Sequence, residues 1–522
     1  MRIGIDVGGT HTDAVVLEGE QVIAAHKALT SADVLTGVVN ALHFLASLNI
    51  DLAAIDAVMI GTTQFTNAVI QRRDLTPVAA VRLGLPSGRG MPPMLGWPED
   101  LAEALGGHVH MLHGGYLYDG QLLAPIDDAE VDAVITDLID KQIKTIAITS
   151  AFSPMNASPE EHVASRIRTR IPDARITLSH RIGRVGLLER ENAALLNASL
   201  LALADKVVGA FDQALARFGI RCPFFISQND GTLMDAAFVR EFPALTFSSG
   251  PTNSLRGAAR LTGLKEAIVV DIGGTTSDIG VLRGGFPRES NMVVEVGGVR
   301  TNFRMPDVMA VGLGGGSIVS NDGRKIGPQS VGHRLVTEGL VFGGNTLTAT
   351  DIVVAAGLAE VGSKERVRHL PAELIANGLA TIRTILESGI RKMKPSADPL
   401  PVVLVGGGAI LAPSQLAHAS AMYRPENSDV ANAIGAAIAL IGGEAERFVN
   451  YRETARETCI AETRAAAQQV AISAGAQAAS IRVTEMDETP IPYMDPGATR
   501  IRVKVVGDVA ALAGTKEATT CS

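Results

Sequence analysis

The sequence predicts an α/β protein of two lobes, each built round its own copy of a Gly-Gly-Thr β-hairpin, with a small C-terminal α+β appendage. Three observations predict it. IGIDVGGTHTDAVVLEGE from Ile3 returns as IVVDIGGTTSDIGVLRGG from Ile268. Strand-like and helix-like stretches alternate along the chain, which implies helices packed on sheets. The chain has 522 residues, 46% hydrophobic and 19% charged. That is enough for two to four domains with substantial cores.

The repeat aligns Asp6 with Asp271, Thr12 with Ser277 and Asp13 with Asp278. Its offset is far longer than the roughly 20–50-residue period of a solenoid. It therefore reads as one supersecondary unit used once per lobe. Each copy is strand, Gly-Gly turn, strand, flanked by apolar β-branched runs. Glycine there permits φ > 0 and lets an anion approach the backbone.

After the first hairpin, DAVMIGTTQFTNAVIQRR reads as a strand, a polar turn and a helix. PVAAVRLGLPSGRGM reads as strand then loop, and residues 82–125 as a looser surface segment. KTIAITSAFSPMN is a further strand. LERENAALLNASLLALADKVVGAFDQAL has helical spacing and is expected to link the lobes. FFISQNDGTLMD and LTFSSGPTNSLRGAARL each read as a strand leading into a polar loop. PVVLVGGGAILAP is a buried strand ending in glycines, and SDVANAIGAAIALIGG a helix with small residues on one face. A charged, alanine-rich helix from Arg452 to about Ala478 and two strands, SIRVTEM and TRIRVKVVG, complete the chain. The expected domains are 1–185, 186–450 and 451–522.

The net charge of -9 argues against nucleic-acid and anionic-membrane partners, which call for basic surfaces. Cys222, Cys459 and Cys521 form no CxxC pair, so neither a disulfide framework nor a cysteine-held cluster is expected. The start MRIGIDVGG lacks signal-peptide features. VANAIGAAIALIGG is too short to span a bilayer. A cytoplasmic protein is expected.

The hairpins carry the chemistry. A phosphate needs several converging donors. Backbone N–H groups at Gly8, Gly9, Gly273 and Gly274, with hydroxyls of Thr10, Thr12, Thr275, Thr276 and Ser277, supply that inventory. Asp6 and Asp271 are candidate Mg²⁺ ligands. Asp13 and Asp278 are candidates for orienting metal, water or phosphate in a phosphoryl transfer. One such hairpin could be an ordinary turn. Two with the same Asp and hydroxyl pattern point to ATP held between closing lobes. Gly406, Gly407 and Gly408 end a strand where backbone could approach the adenosine. Gly314 and Gly315 could line phosphate or substrate, or form a plain loop. No GxxxxGK[ST] and no complete GxGxxG is present, so neither a P-loop nor a Rossmann site is expected.

Other candidates carry two readings each. Thr62, Thr63 and Asn67 stand at a strand end and helix start, for substrate or for N-capping. Glu189, Arg190 and Glu191 open a helix, where a carboxylate could be the general base and Arg190 a substrate contact. Equally, they could be a solvated first turn. Asp351 is an N-cap or a ligand. His108, His110 and His113 could hold a metal, although no acidic partner stands out. Trp97 reads as a loop anchor.

The paired DxGGTxTD-type hairpins and the late GGGA resemble the superfamily of actin, Hsp70 chaperones and sugar kinases. That resemblance implies a two-lobed actin-like ATPase (ribonuclease H-like) fold. GTTQFTNAVIQRR, ERENAALLNASL, SSGPTNSLRGA, GLGGGSI and LTATDIVVAAG, in that order over about residues 1–440, resemble the ATP-binding A-type subunit of the hydantoinase/oxoprolinase family. The resemblance implies an ATP- and Mg²⁺-dependent opening of cyclic amides such as hydantoins, 5-oxoproline and related lactams. The implied step phosphorylates the amide carbonyl oxygen. A separate partner subunit, a homo-oligomer, or both are implied as well. The same resemblance leaves two alternatives: an ATP-dependent ketone carboxylase subunit, or a nucleotide switch without small-molecule chemistry. The family's PGP-x-C-Y-like stretch is replaced here by GPQSVGHRLVTEGLVFGG, and its SNGG by QNDGT.

Overall fold

The computed structural model describes residues 1–8, 11–19, 21–29, 34–48, 50–290, 293–491 and 497–510. Three sheets organise the chain. The first has nine strands in the order 482–490, 498–507, 441–450, 233–235, 224–227, 57–62, 2–7, 11–18, 21–29. The second has six strands, with 267–272 between 277–283 and 400–405. The third is a four-stranded parallel sheet of 108–113, 79–85, 145–150 and 175–178.

Both hairpins form in the expected register. Asp6 stands opposite Asp13, and Asp271 opposite Asp278. The turns close alike, Gly8 N–H donating to the His11 carbonyl at 3.0 Å and Gly273 N–H to that of Thr276 at 2.9 Å. Neither Gly8, Gly273 nor Gly274 is left-handed. These glycines serve close approach instead: a Cβ on Gly8 would lie 3.1 Å from the His11 oxygen.

Sheet membership corrects the expected domain boundaries. Strands 224–227 and 233–235, expected in the second lobe, pair into the first sheet. The C-terminal strands are no separate appendage, because Ile441–Asn450 and Ala498–Gly507 pair along their whole length and extend that same sheet. Residues 82–125 are more ordered than a surface loop, with a helix at Glu99–Ala104 and the strand His108–His113. Trp97 anchors the segment, its Nε1–H donating to Asn192 Oδ1 at 2.9 Å.

Two helices cross between the lobes. SGPTNSLRGAARLT, expected as a strand and loop, is the helix Ser249–Thr262. Its proline falls in the first turn, where no N–H is needed. It packs on the second sheet with Leu255, Ala258, Val269 and Val403. The helix Ala431–Ala437 is shorter than expected, since Ile441 already begins a strand. It packs on the first sheet through Ala433, Ile434 and Ala437 against Val15 and Leu17. Helix Leu187–Arg217, expected to link the lobes, runs buried through the first lobe's core.

Candidate functional site

Strand alternation decides which hairpin side chains reach the cleft. Directly opposed residues of an antiparallel pair share a face, and their neighbours point the other way. Asp6 and Asp13 share one face of the first hairpin. Gly61 lies beside Asp6 on the parallel strand Ala57–Thr62, and a Cβ there would lie 2.1 Å from Asp6 Oδ1. The bare glycine gives the carboxylate its seat.

Three crossing-helix side chains hold the paired aspartates. Asn253 Nδ2 donates to Asp6 Oδ1 and Asn432 Nδ2 to Asp6 Oδ2, both at 3.4 Å. Ser254 Oγ donates to Asp271 Oδ2 at 2.7 Å. Asn253 and Ser254 therefore reach adjacent lobes from adjacent helix positions. Asp13 is held by Lys27, whose Nζ lies 2.7 and 2.8 Å from its two oxygens. Lys27 stands opposite Asp13 on the third strand. The same Nζ donates to the Asp429 carbonyl in the second lobe at 2.7 Å.

Charge in this cleft is unbalanced. Four aspartates face one lysine. Burial raises the Asp6 carboxyl, and the Asp271 charge raises it further against its two asparagine donors. Burial raises Asp271 too, opposed by Ser254 and Lys27. Asp13 is pushed up to about 7 by burial, despite Lys27. Asp278 is pushed up to about 7 by burial and the Asp271 charge. Positive charge brought beside these carboxyls would favour their ionised forms. Among the described residues no three His, Cys, Asp or Glu side chains are grouped to hold a metal. A metal here would take Asp6 and Asp271, and complete its shell with water and nucleotide oxygens, as Mg²⁺ does.

The glycine loops meet at the second hairpin. Gly406, with φ +83°, would place a Cβ 2.2 Å from Asp271 Oδ1. Gly408 N–H donates to the Ile272 carbonyl at 2.7 Å. Gly407 faces Lys27 across the lobe boundary, a Cβ there lying 3.3 Å from Lys27 Cε. Gly314 and Gly315 brace the turn, their N–H groups spent within the protein. Gly314 N–H bonds Ser317 Oγ at 2.8 Å, and Gly315 N–H bonds the Gly273 carbonyl at 3.0 Å.

Several expected site residues are engaged elsewhere. Thr12 and Ser277 point away from the cleft, because each adjoins a cleft-facing aspartate in its strand. Thr12 lies under Gly37, where a Cβ would meet its Oγ1 at 2.4 Å. Ser277 Oγ donates to the Leu313 carbonyl at 2.6 Å. Thr275 is half-buried beside the turn and Thr276 is exposed. Gly9 and Thr10 lie outside the described residues. Thr62 Oγ1 accepts from Gln64 N–H at 3.2 Å. Thr63 hooks the end of the first strand through the Val7 carbonyl, and Asn67 Nδ2 donates to Thr63 Oγ1 at 3.3 Å. This group abuts the first hairpin as an N-terminal helix lock.

From Arg190 onward the polar run at the start of the long helix is buried, not solvated. Glu191 is paired with the fully buried Arg82, whose Nε lies 2.6 Å from Oε2. A carboxylate so clamped is not a free base. Arg190 spends its guanidinium on Ser179 Oγ and the carbonyls of Arg184 and Ser150 at 2.7–3.0 Å. Burial lowers it to about 10. Glu189 is half-exposed, 3.9 Å from Arg300. Asp351 is structural: it accepts from Val341 N–H and both Thr348 donors at 2.7–2.8 Å in a capping box. His110 and His113 pair with Asp137 and Glu130.

The motif placement matches the family models. The hydantoinase/oxoprolinase N-terminal region matches residues 2–171, and the hydantoinase/oxoprolinase model matches residues 190–363. The chain belongs to the hydantoinase/oxoprolinase family. This hydantoinase/oxoprolinase chain is 27% identical over 461 residues to a protein named caprolactamase subunit alpha from Pseudomonas jessenii, covering 78% of the chain and 65% of the relative. It is 27% identical over 396 residues to the acetophenone carboxylase gamma subunit of Aromatoleum aromaticum, covering 68% of the chain and 53% of the relative. The chain thus spans between half and two thirds of these relatives' length. Both relatives are named as subunits.

The crystal structure of the ATP-dependent caprolactamase from Pseudomonas jessenii superposes with a TM-score of 0.82 at 20% identity, over 98% of this chain and 88% of that one. A nucleotide-free acetone carboxylase structure superposes with a TM-score of 0.68 at 16% identity, with the same coverages. The hydantoinase/oxoprolinase chain thus shares the fold of the caprolactamase structure over nearly its whole length.

Proposed function

We propose that this chain is the ATP-binding subunit of an ATP-dependent hydrolase that opens a cyclic amide. The observation that carries the reading is the approach of Asp6 and Asp271, one from each hairpin, at the lobe boundary. Mg²⁺-ATP bound there would offset the carboxylate charge and supply the phosphoryl group. Asp6 and Asp271, positioned by Asn253, Asn432 and Ser254, would hold the metal. Lys27 would carry positive charge toward the phosphates, and Asp13 would tune it.

The chemistry proposed is transfer of the γ-phosphoryl group to the amide carbonyl oxygen, with ADP as leaving group. Phosphorylation of the oxygen removes the amide resonance that protects the ring carbon. One water then adds to that carbon and the C–N bond breaks, the nitrogen leaving as the amine and the carbon as a ring-opened acyl phosphate; a second water hydrolyses the acyl phosphate to the carboxylate and inorganic phosphate. A separate partner subunit is proposed to complete that step, as the subunit names of the relatives suggest.

The test is ATP hydrolysis by the purified chain with Mg²⁺ across 5-oxoproline, hydantoin, N-methylhydantoin, neutral lactams, and ketones with bicarbonate. It is run alone and with candidate partner chains. Stimulation by a cyclic amide supports the reading. Stimulation only by a ketone with bicarbonate replaces it with a carboxylase, a reading the acetophenone carboxylase similarity favours. ATP turnover indifferent to every compound and partner points to a nucleotide switch.

A further inference from the structure

A cavity of about 760 Å³ lies in the first lobe, and none of the four aspartates lines it. Strand Ile441–Asn450 runs along one side. The segments 180–184 and 302–304 and the QNDGT turn enclose much of the rest. Its size suits a small organic ligand.

Most of the charges in its wall already have partners. Arg181 is paired with Glu241, and Arg447 with Glu462. Asp230 meets Lys504 at 2.9 Å. His180 Nδ1 lies 2.7 Å from Glu160 Oε2. Arg304 meets Glu444 at 2.5 Å and Glu289 at 3.2 Å. Its Nε lacks a partner but is buried, so it does not open into the cavity.

Two opposite charges are left over. Glu446 lines the cavity half-buried, and among the described residues it makes no hydrogen bond or ion pair. Arg502 stands opposite it in the ladder but spends its guanidinium on Glu289, Glu444 and Glu485 at 2.8–3.4 Å. Arg500 is turned to Asp487 at 3.1 Å. Arg184 also lines the cavity, with 34% of its side chain exposed. It makes one long ion contact, 3.4 Å to Glu444 Oε1, an oxygen that Arg304 meets at closer range. Burial raises Glu446, and the Arg184 charge is the first to oppose that rise. A half-buried carboxylate with no partner is costly until a cation meets it.

The strand sets the spacing. Glu444 and Glu446 point to one face, with Cα atoms roughly 7 Å apart. Arg184 stands at the first, and the free carboxylate is the second. A ligand that meets both carries a carboxylate and an ammonium separated by several carbons. Phe238, Phe242, Phe303 and Leu245 supply apolar wall for its stem.

We propose that this cavity is a second ligand site, which binds an ω-amino acid with its ammonium at Glu446 and its carboxylate at Arg184. No phosphoryl transfer takes place there. Opening a neutral lactam releases a molecule of this class, so the ligand is the kind of product the proposed reaction forms. That link rests on the cyclic-amide reading, whereas the site itself does not.

The test is isothermal titration of the purified chain with 5-aminovalerate and 6-aminohexanoate, beside alanine, hexanoate and hexylamine. Wild type, Glu446→Gln and Arg184→Met are compared, with ATP binding as the check of folding. The wild type is expected to bind an ω-amino acid about 10–100-fold more tightly than either single-charge analogue, the scale of one charge-assisted hydrogen bond. Alanine, whose charges are adjacent, should bind more weakly as well. Glu446→Gln should lose the advantage while holding hexanoate at least as well as wild type does. Arg184→Met should lose it while holding hexylamine at least as well. General destabilisation would not give this crossed pattern. A wild type that does not prefer an ω-amino acid to both analogues overturns the assignment, and so do losses in the variants that ignore which charge was removed. ATP turnover with cyclic amides tests the reading separately. Binding of ω-amino acids without such stimulation keeps the site and cuts its link to the product. Stimulation without that binding removes the site and leaves the reading standing.

Discussion

Gly435 lies against the backbone of Asn253 so closely that a Cβ on it would sit 1.8 Å from the Asn253 carbonyl oxygen. Gly257 meets the Ala431 carbonyl in the same way, at 2.0 Å. The two crossing helices thus touch backbone to backbone, and Asn253, at the contact, holds Asp6. Gly435→Ala must separate them. We expect a loss of about 1–3 kcal/mol of stability, as for other overpacked contacts, and a disproportionate fall in ATP turnover. Gly209→Ala on the long helix, where an added Cβ meets nothing within 4 Å, should be neutral or stabilising by about 0.5–1 kcal/mol. Thermal unfolding and ATP hydrolysis of both variants check this.

Asp271 raises the Asp6 carboxyl by its charge. Replacing it with the isosteric amide relieves that repulsion in the nucleotide-free protein. Asp271→Asn should therefore unfold at the same temperature as wild type or higher without nucleotide. With Mg²⁺-ATP it should show little of the ligand-induced rise, and turnover should fall about 10²–10³-fold, the scale of losing one charge-stabilising group. A full Mg²⁺-ATP-induced rise in the variant would remove Asp271 from the metal site.

Much of this site is written in the sequence, and what is hidden is hidden for identifiable reasons. The Asp6/Asp13 and Asp271/Asp278 pairs are legible because the repeat fixes hairpin register. Thr12 and Ser277 mislead because hydroxyls look like phosphate donors until strand alternation turns them inward. Lys27 is invisible to motif reading: only the pairing of a third strand puts it opposite Asp13. Asn253, Ser254 and Asn432 carry no motif of their own: SGPTNSLRGA reads as a polar loop, and ANAIGAA as a helix with small residues on one face. The polar run at Glu189–Asn192 looked solvated because its partners, Arg82, Ser150 and Trp97, lie about 40 to 110 positions away in sequence. The first sheet's closure by residues 441–507 is likewise a long-range pairing with no local signal.

Arg82 and Glu191 form a buried ion pair joining the four-stranded sheet to the long helix. Removing one partner leaves the other charged in a dry site. Glu191→Gln or Arg82→Met alone should destabilise the fold by about 3–5 kcal/mol, whereas Arg82→Met with Glu191→Leu should recover much of that loss. Denaturant unfolding of the single and double variants measures the coupling. If Glu191 were instead a general base, the folded fraction of Glu191→Gln would lose turnover with its stability intact.

His11 follows the first hairpin turn, and burial with the nearby Lys27 lowers its imidazole from 6.5 to about 4. Below about pH 6.5 the unfolded chain takes up a proton that the folded chain refuses until about pH 4. The unfolded state then binds more protons, so this residue's contribution to stability falls as pH drops across that window. Asp13 and Asp278, raised to about 7, act oppositely: from about pH 7 down to about 4 the folded chain holds protons that the unfolded chain has released. Opposing slopes make the wild-type curve a poor witness, and the difference between proteins is the observable. His11→Asn, which cannot titrate here, should gain stability relative to wild type on going from pH 7 to pH 4.5 in urea unfolding without nucleotide. A pH-independent difference would mean that His11 is protonated equally in the folded and unfolded chains.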